Sequence, residues 1–188
     1  LTEHEDNILL NSKHKYAPFF RLMRYTGLRR EEITSLTVDN VDLKNKTIKI
    51  FEAVAFINNQ PTLKTTKNKK SRIVPVPDII FNELKVLMEK AQNKLLFYKE
   101  TDKKMLTETA IRRHLESFCY CEGISFTCHQ LRHSYCTMLY YSGIKIKEAQ
   151  NLMGHSSADM VYNVYTHLDN NSCESINLIN NYIEKVGK

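Results

Sequence analysis

A mainly α-helical α+β domain with a small antiparallel β-sheet is the fold that the 188-residue sequence predicts, and three observations carry it. Apolar residues recur at three-and-four spacing over most of the chain, which is the period of an amphipathic helix. Between Thr47 and Val76 that period gives way to alternation and β-branched clusters, the mark of short strands. Glycines stand just past several of the helical stripes, where helices commonly stop.

Taken in order, Tyr16, Phe19, Phe20 and Met23 form the first stripe, and Gly27 follows as its stop. Ile48 and Ile50 alternate with charged residues, the run continues through Val54, and Ile73, Val74 and Val76 form a further β-branched cluster. With Asn58-Asn59 and Lys67-Asn68-Lys69 as turns, this reads as an antiparallel meander of two or three strands, ended by Pro75 and Pro77. Helical stripes then resume with Ile80, Leu84, Leu87 and Ala91, and again with Ile111, Leu115, Phe118 and Cys119. Thr107 is the expected N-cap of the second of these and Gly123 its stop. Leu131, Tyr135, Met138 and Leu139 run up to Gly143, and Ile146, Ala149, Leu152 and Met153 run up to Gly154. Two short segments close the chain, one with Val161, Val164 and Tyr165, the other with Ile176, Ile179 and Ile183.

The length fits one domain, residues 1–188, and no interdomain linker, repeat or low-complexity tract is visible. No stretch approaches the ~20 apolar residues of a membrane span. The first residues are acidic and lead into no apolar signal region, so a cytoplasmic location is expected. Five cysteines without framework spacing suggest reduced thiols. A formal net charge of +6 suits a polyanionic partner such as double-stranded DNA. Cys119, Cys121, Cys128, His129, His133 and Cys136 cluster in sequence, but Cys119-x-Cys121 is too tight for usual zinc-ligand spacing, and no metal or other cofactor is expected.

Four clusters of chemistry-bearing residues stand far apart. Thr26-Gly27-Leu28-Arg29-Arg30-Glu31-Glu32 places Arg29 where one helix stops and the next begins, with Glu32 positioned to hold its guanidinium. Lys64 to Arg72 is a hairpin with five basic residues in nine positions, Lys64, Lys67, Lys69, Lys70 and Arg72, suited to a phosphate backbone. His129-Gln130-Leu131-Arg132-His133 opens a helix; His129 and Arg132, three apart, share a face beside the helix's free amides, while His133 is read as structural. Met153-Gly154-His155-Ser156 precedes Tyr165-Thr166-His167, with Tyr165 ten residues beyond His155. Each cluster also has a plain reading: a helix connection, a solvated hairpin tip, a capping turn and a packing tyrosine.

Together, two arginines, a lysine, two histidines and a tyrosine are the parts needed to attack a phosphodiester without a metal. In this order the motifs resemble the tyrosine recombinase family, which includes phage and conjugative-transposon integrases, and the resemblance covers essentially the whole chain. It implies the catalytic-domain fold of that family and a site-specific recombinase that integrates or excises mobile DNA. Tyr165 would be the nucleophile, leaving a 3′-phosphotyrosyl link, although Tyr162 lies on the same helical side. Phenolate formation at pH 7 costs about 4 kcal/mol from a solution pKa near 10, which the site must offset. Arg29 and Arg132 would hold the non-bridging oxygens, which guanidinium forks do better than lysine. His129 would serve as acid or base, His155 as a further donor to the phosphate, and Glu32 would orient Arg29. Lys64 would protonate the leaving 5′-oxygen, with Lys67, Lys69 and Lys70 as rivals, and Lys67, Lys69, Lys70 and Arg72 would contact DNA. The resemblance further implies an amino-terminal DNA-clamping domain missing from this fragment, assembly into a tetramer on DNA, a directionality factor as a possible partner, and docking of tail residues 169–188 on a neighbouring protomer, with packing of that tail on its own domain as the plain reading. Type IB topoisomerase-like strand relaxation and non-catalytic DNA-binding regulation are the alternative readings.

Overall fold

The computed structural model describes residues 1–65, 71–154 and 157–169, and over them helices surround two small antiparallel sheets. Helix α1, Glu3–Asn11, starts at a reciprocal cap in which Thr2 and Glu5 satisfy each other's backbone amides. Next come α2 (Ala17–Thr26), α3 (Arg30–Thr34), a 3-10 turn at Val38–Asn40, and strands β1 (Val41–Asp42), β2 (Thr47–Ile50), β3 (Glu52–Ile57), β4 (Gln60–Thr65) and β5 (Arg72–Pro75). The rest is helical: α4 (Asp78–Glu89), α5 (Glu108–Glu122), α6 (Cys128–Tyr141), α7 (Ile146–Met153) and α8 (Ala158–Asp169).

The expected meander is instead two sheets. One has the order β1-β2-β5, and the other is the β3-β4 hairpin. β2 skips the hairpin and pairs with β5, setting Ile48 against Val74 and Ile50 against Arg72. Burial accounts for this: Ile48, Ile50 and Val74 all go into the core, so β2 and β5 share a buried face. The β3-β4 hairpin has Ile57 and Leu63 in solvent. Asn58 and Asn59 make its turn with φ of 48° and 65°, the left-handed conformation that two-residue hairpins require.

Helix ends follow the expected signals at several positions. Thr107 accepts a hydrogen bond from the Ala110 amide, and Gly27 and Gly123 take left-handed φ at the ends of α2 and α5. α4 ends at Glu89, before Ala91, and Phe81 joins Ile80 and Leu84 in its buried stripe. α6 begins at Cys128 rather than His129 because Thr127 and Gln130 form a reciprocal cap there. The Ile176, Ile179 and Ile183 segment, and the rest of the tail beyond Asp169, lies outside the described residues.

Two cores result. The larger joins α1 to α5 and the three-stranded sheet around Phe20, Phe118 and Phe126. The smaller joins α6, α7 and α8 through Tyr135, Cys136, Leu139, Met153, Val161, Val164 and Tyr165. α6 belongs to both, since Leu131 enters the first and Tyr135 the second. Arg132 lies on α6 between them. Among the described residues no helix is long and apolar enough to cross a membrane.

Candidate active site

The site starts with one glycine. Gly27 turns the chain out of α2 at φ 65°, and a Cβ there would come 2.2 Å from the Tyr135 ring. No L side chain fits, so the turn is tight, α2 closes on α6, and the Gly27 carbonyl accepts a hydrogen bond from Arg132 Nη1. Arg29 follows two residues later, just ahead of α3. Its Nη1 donates to Glu32 Oε1 at 2.9 Å, and its backbone amide donates to Glu32 Oε2 at 2.7 Å.

Glu32 is the hub. Its carboxylate also receives Arg72 from β5 in a two-pronged contact, Nη1 to Oε1 at 2.8 Å and Nη2 to Oε2 at 2.7 Å. Arg72 Nε donates to the Leu152 carbonyl at 2.9 Å, tying the sheet to the end of α7. Burial alone would raise the Glu32 carboxyl, but the bonds and charge of Arg72, with those of Arg29, outweigh it and hold the group below its ordinary range. Gly154, at φ 83°, packs against the same guanidiniums; a Cβ there would stand 3.3 Å from Arg72 Nη1 and 3.4 Å from Arg29 Nη1.

Arg132 completes the centre. It is buried, and its Nη2 donates to Ser157 Oγ at 2.8 Å and to the Met153 carbonyl at 3.3 Å. Arg29 Nη2 donates to the same Ser157 oxygen, also at 2.8 Å. Burial and then the neighbouring Arg29 charge push Arg132 down to about 10, so it still carries its charge at neutral pH. Arg29 and Arg72 share the Glu32 carboxylate and Arg132 meets Arg29 at Ser157, so among these four charged side chains positive charge exceeds negative by two. That arrangement can bind an oxyanion and stabilise charge building on it.

An open cleft of about 660 Å³ lies over this centre, with Arg29, His129, Arg132 and Ser157 in its wall. His129 is exposed and reaches the cleft from the first turn of α6. Cys128 also lines it, but burial pushes that thiol up to about 11, so it stays protonated and is a poor nucleophile.

Tyr165 is elsewhere. It sits in the middle of α8 with only 7% of its surface exposed, in edge contact with the Tyr140 ring, and its hydroxyl donates to the Ile144 carbonyl at 2.8 Å. It is not part of the cleft wall. Tyr162, its rival in sequence, is 58% exposed. Lys64 stands exposed on β4 opposite Ala53, and no described contact joins it to the arginines.

The structure therefore gathers Arg29, Glu32 and Arg132 with His129 at the cleft wall, and no described hydrogen bond joins Lys64 or the Tyr165 hydroxyl to them. Arg72, expected on the DNA face with the hairpin lysines, turns inward to Glu32 and Leu152. His155, Lys67, Lys69 and Lys70 lie outside the described residues. Ser157 and Arg72 are the members of the arginine centre that sequence reasoning missed or misplaced. The one signal for Ser157 was its place two residues past His155, and Arg72 had none beyond its charge. Among the described residues no group of three or more His, Cys, Asp or Glu side chains gathers as a metal site.

Residues 2–172 match the phage integrase family, and the chain belongs to it. It is 28% identical over 170 residues to the tyrosine recombinase XerA of Pyrococcus furiosus, covering 86% of this chain and 54% of that protein. With XerA of Saccharolobus solfataricus the identity is 31% over 150 residues, 79% of this chain and 44% of that one. The chain thus spans about half the length of these curated relatives. In fold it is similar to the Tn1549 transposon integrase solved with transposon right end DNA, with a TM-score of 0.76 and 20% identity, over 100% of this chain and 66% of that one. A crystal structure of XerA recombinase gives a TM-score of 0.70 at 24% identity, over 89% of this chain and 60% of the other. The mainly helical fold with small antiparallel sheets is that of a tyrosine recombinase catalytic domain.

Proposed function

We propose that this chain cuts and rejoins DNA strands as the catalytic part of a site-specific recombinase, through a covalent link between Tyr165 and a 3′-phosphate. The observation that carries this reading is the convergence of Arg29 and Arg132 on one oxygen position at the wall of an open cleft. Phosphodiester attack passes from one negative charge to two on the non-bridging oxygens. A site in which guanidinium charge exceeds carboxylate charge favours the second state over the first. Glu32 orients Arg29 and Arg72, and His129 is within the cleft to move a proton. Lys64, on the hairpin, supplies the proton for the leaving 5′-oxygen, and His155 adds a donor to the phosphate. Lys67, Lys69 and Lys70 contact the backbone of double-stranded DNA, and the family's tetrameric assembly, tail docking and a directionality factor are the partners this reading implies. No step of this scheme calls for a metal.

Tyr165 must exchange its Ile144 acceptor for the scissile phosphorus before it can react. A duplex nicked just past the cleavage site traps such an intermediate, because the short 5′-hydroxyl fragment diffuses away. On it the chain is expected to form a covalent adduct that Tyr165→Phe abolishes and Tyr162→Phe retains. Absence of an adduct across candidate recombination sites, with DNA binding intact, would favour the DNA-binding regulator reading instead.

A further inference from the structure

We infer that Ser157 is a positioning residue of the arginine centre: its hydroxyl occupies the place of a non-bridging phosphate oxygen and yields it when the anion arrives. The inference rests on the strand-cleavage reading for its biological meaning, but its geometry stands by itself. Two guanidinium nitrogens from residues far apart in sequence meet on the single Ser157 oxygen, each at 2.8 Å. Two charged donors converging on one oxygen is how arginines take an oxyanion. Ser157 is itself buried, and its amide donates to the Gly154 carbonyl at 2.8 Å, so the oxygen is held in place by the backbone.

The remaining ends of both arginines are anchored, Arg29 on Glu32 and Arg132 on the Gly27 and Met153 carbonyls. A phosphate oxygen entering the cleft therefore meets the Nη2 groups that Ser157 now engages. A hydroxyl is a neutral acceptor, so an anionic oxygen outcompetes it for two guanidiniums. Ser157 immediately precedes α8, and Tyr165 lies eight residues further along that helix. Phosphate occupancy at the arginines is thereby reported directly to the element that carries the nucleophile. Aligning that helix is the positioning role, and it is separate from charge stabilisation.

The test uses the whole 188-residue chain, first without DNA. Sulfate, the probe anion, is titrated into wild type, Ser157→Ala, Ser157→Thr and Ser157→Asp by calorimetry, with Arg132→Ala marking binding at other basic surfaces. Ser157→Ala is expected to bind sulfate more tightly than wild type, since nothing need be displaced, while Ser157→Asp, a tethered carboxylate, is expected to bind it at least roughly tenfold more weakly. Adduct formation at saturating nicked DNA is expected to be roughly tenfold slower for Ser157→Ala and near wild type for Ser157→Thr, which keeps the hydroxyl. A merely structural serine would weaken sulfate binding on truncation, not strengthen it. Equal sulfate affinity in wild type, Ser157→Ala and Ser157→Asp would overturn the inference, as would an unchanged adduct rate in Ser157→Ala. Should wild type bind sulfate as expected but form no adduct, the strand-cleavage reading fails and the placeholder role of Ser157 stands on the sulfate series.

Discussion

The arginine centre and the Tyr165 helix lie in one fold, yet they are prepared to different degrees. Around Glu32, charged hydrogen bonds tie together α3, β5 and the end of α7, and Ser157 links Arg29 to Arg132 on α6. The Tyr165 hydroxyl, by contrast, makes a neutral bond to the Ile144 carbonyl, away from the cleft. Taking apart a buried ion-paired network costs about 3–5 kcal/mol, whereas a neutral hydrogen bond is worth net ~1 kcal/mol. The difference teaches which half moves. Under the proposed reaction, the cradle for the phosphate is assembled in advance, and presentation of Tyr165 is the step left for DNA to control.

The most forceful way to break this contrast is to remove its hub. Glu32→Ala leaves the half-buried Arg29 and Arg72 beside the buried Arg132 without their carboxylate, and is expected to cost about 3 kcal/mol in urea unfolding. Its pH signature has a definite sign. The Glu32 carboxyl is held below its ordinary range, so its contribution is present above that range and drains away as pH falls through the folded value. Wild type is therefore expected to lose stability on acidification more steeply than Glu32→Ala. Parallel pH curves would mean that the hub is not a stabilising one.

Gly27→Ala attacks the same half through the backbone. The added methyl meets the Tyr135 ring at 2.2 Å at a φ of 65°, and about 2–3 kcal/mol of destabilisation is expected by thermal melting. A melt within 1 kcal/mol of wild type, by the same about-tenfold-per-1.4 kcal/mol scale, would show that α2 and α6 part easily and that the cradle is less rigid than argued.

Much of this was legible beforehand, and the reasons are local. The glycine stops at Gly27 and Gly123, the Thr107 cap and the Asn58-Asn59 turn each depend on a few neighbouring residues, and each appears in the structure. Arg29, Glu32 and Arg132 announced themselves through type and spacing. What stayed hidden is non-local. β2 pairs with β5 across the whole hairpin because of a shared buried face, which strand patterning alone does not reveal. Arg72 reaches Glu32 across forty residues, and as one basic residue among five it looked like part of the hairpin tip. The Thr127 cap, by contrast, is local, resting on Thr127 and Gln130 alone.

Thr127→Ala sharpens the comparison at a smaller scale. Its hydroxyl accepts from the Gln130 amide at the start of the helix that carries His129 and Arg132. Loss of that cap is expected to cost about 1 kcal/mol without changing sulfate affinity, because Arg132 is anchored by Gly27 and Met153 rather than by the helix end. No larger is Tyr165→Phe, expected to cost ~1 kcal/mol in stability, since the ring stays packed against Tyr140 while the described bond to Ile144 is lost.

The most direct test follows Tyr165 itself. A 3-fluorotyrosine placed at position 165 reports its surroundings by fluorine NMR, in the free chain and on an intact duplex with a natural phosphate at the scissile position, where the retained 5′-hydroxyl rejoins the strand and keeps the complex uncleaved. The expected result is a resonance of a buried, hydrogen-bonded ring in the free chain that moves on DNA binding, while backbone amide shifts of residues 27–34 stay nearly constant. A Tyr165 resonance that remains in place on DNA, in a protein that cleaves the nicked duplex through that tyrosine, would contradict the division between a prepared cradle and a nucleophile that must be presented.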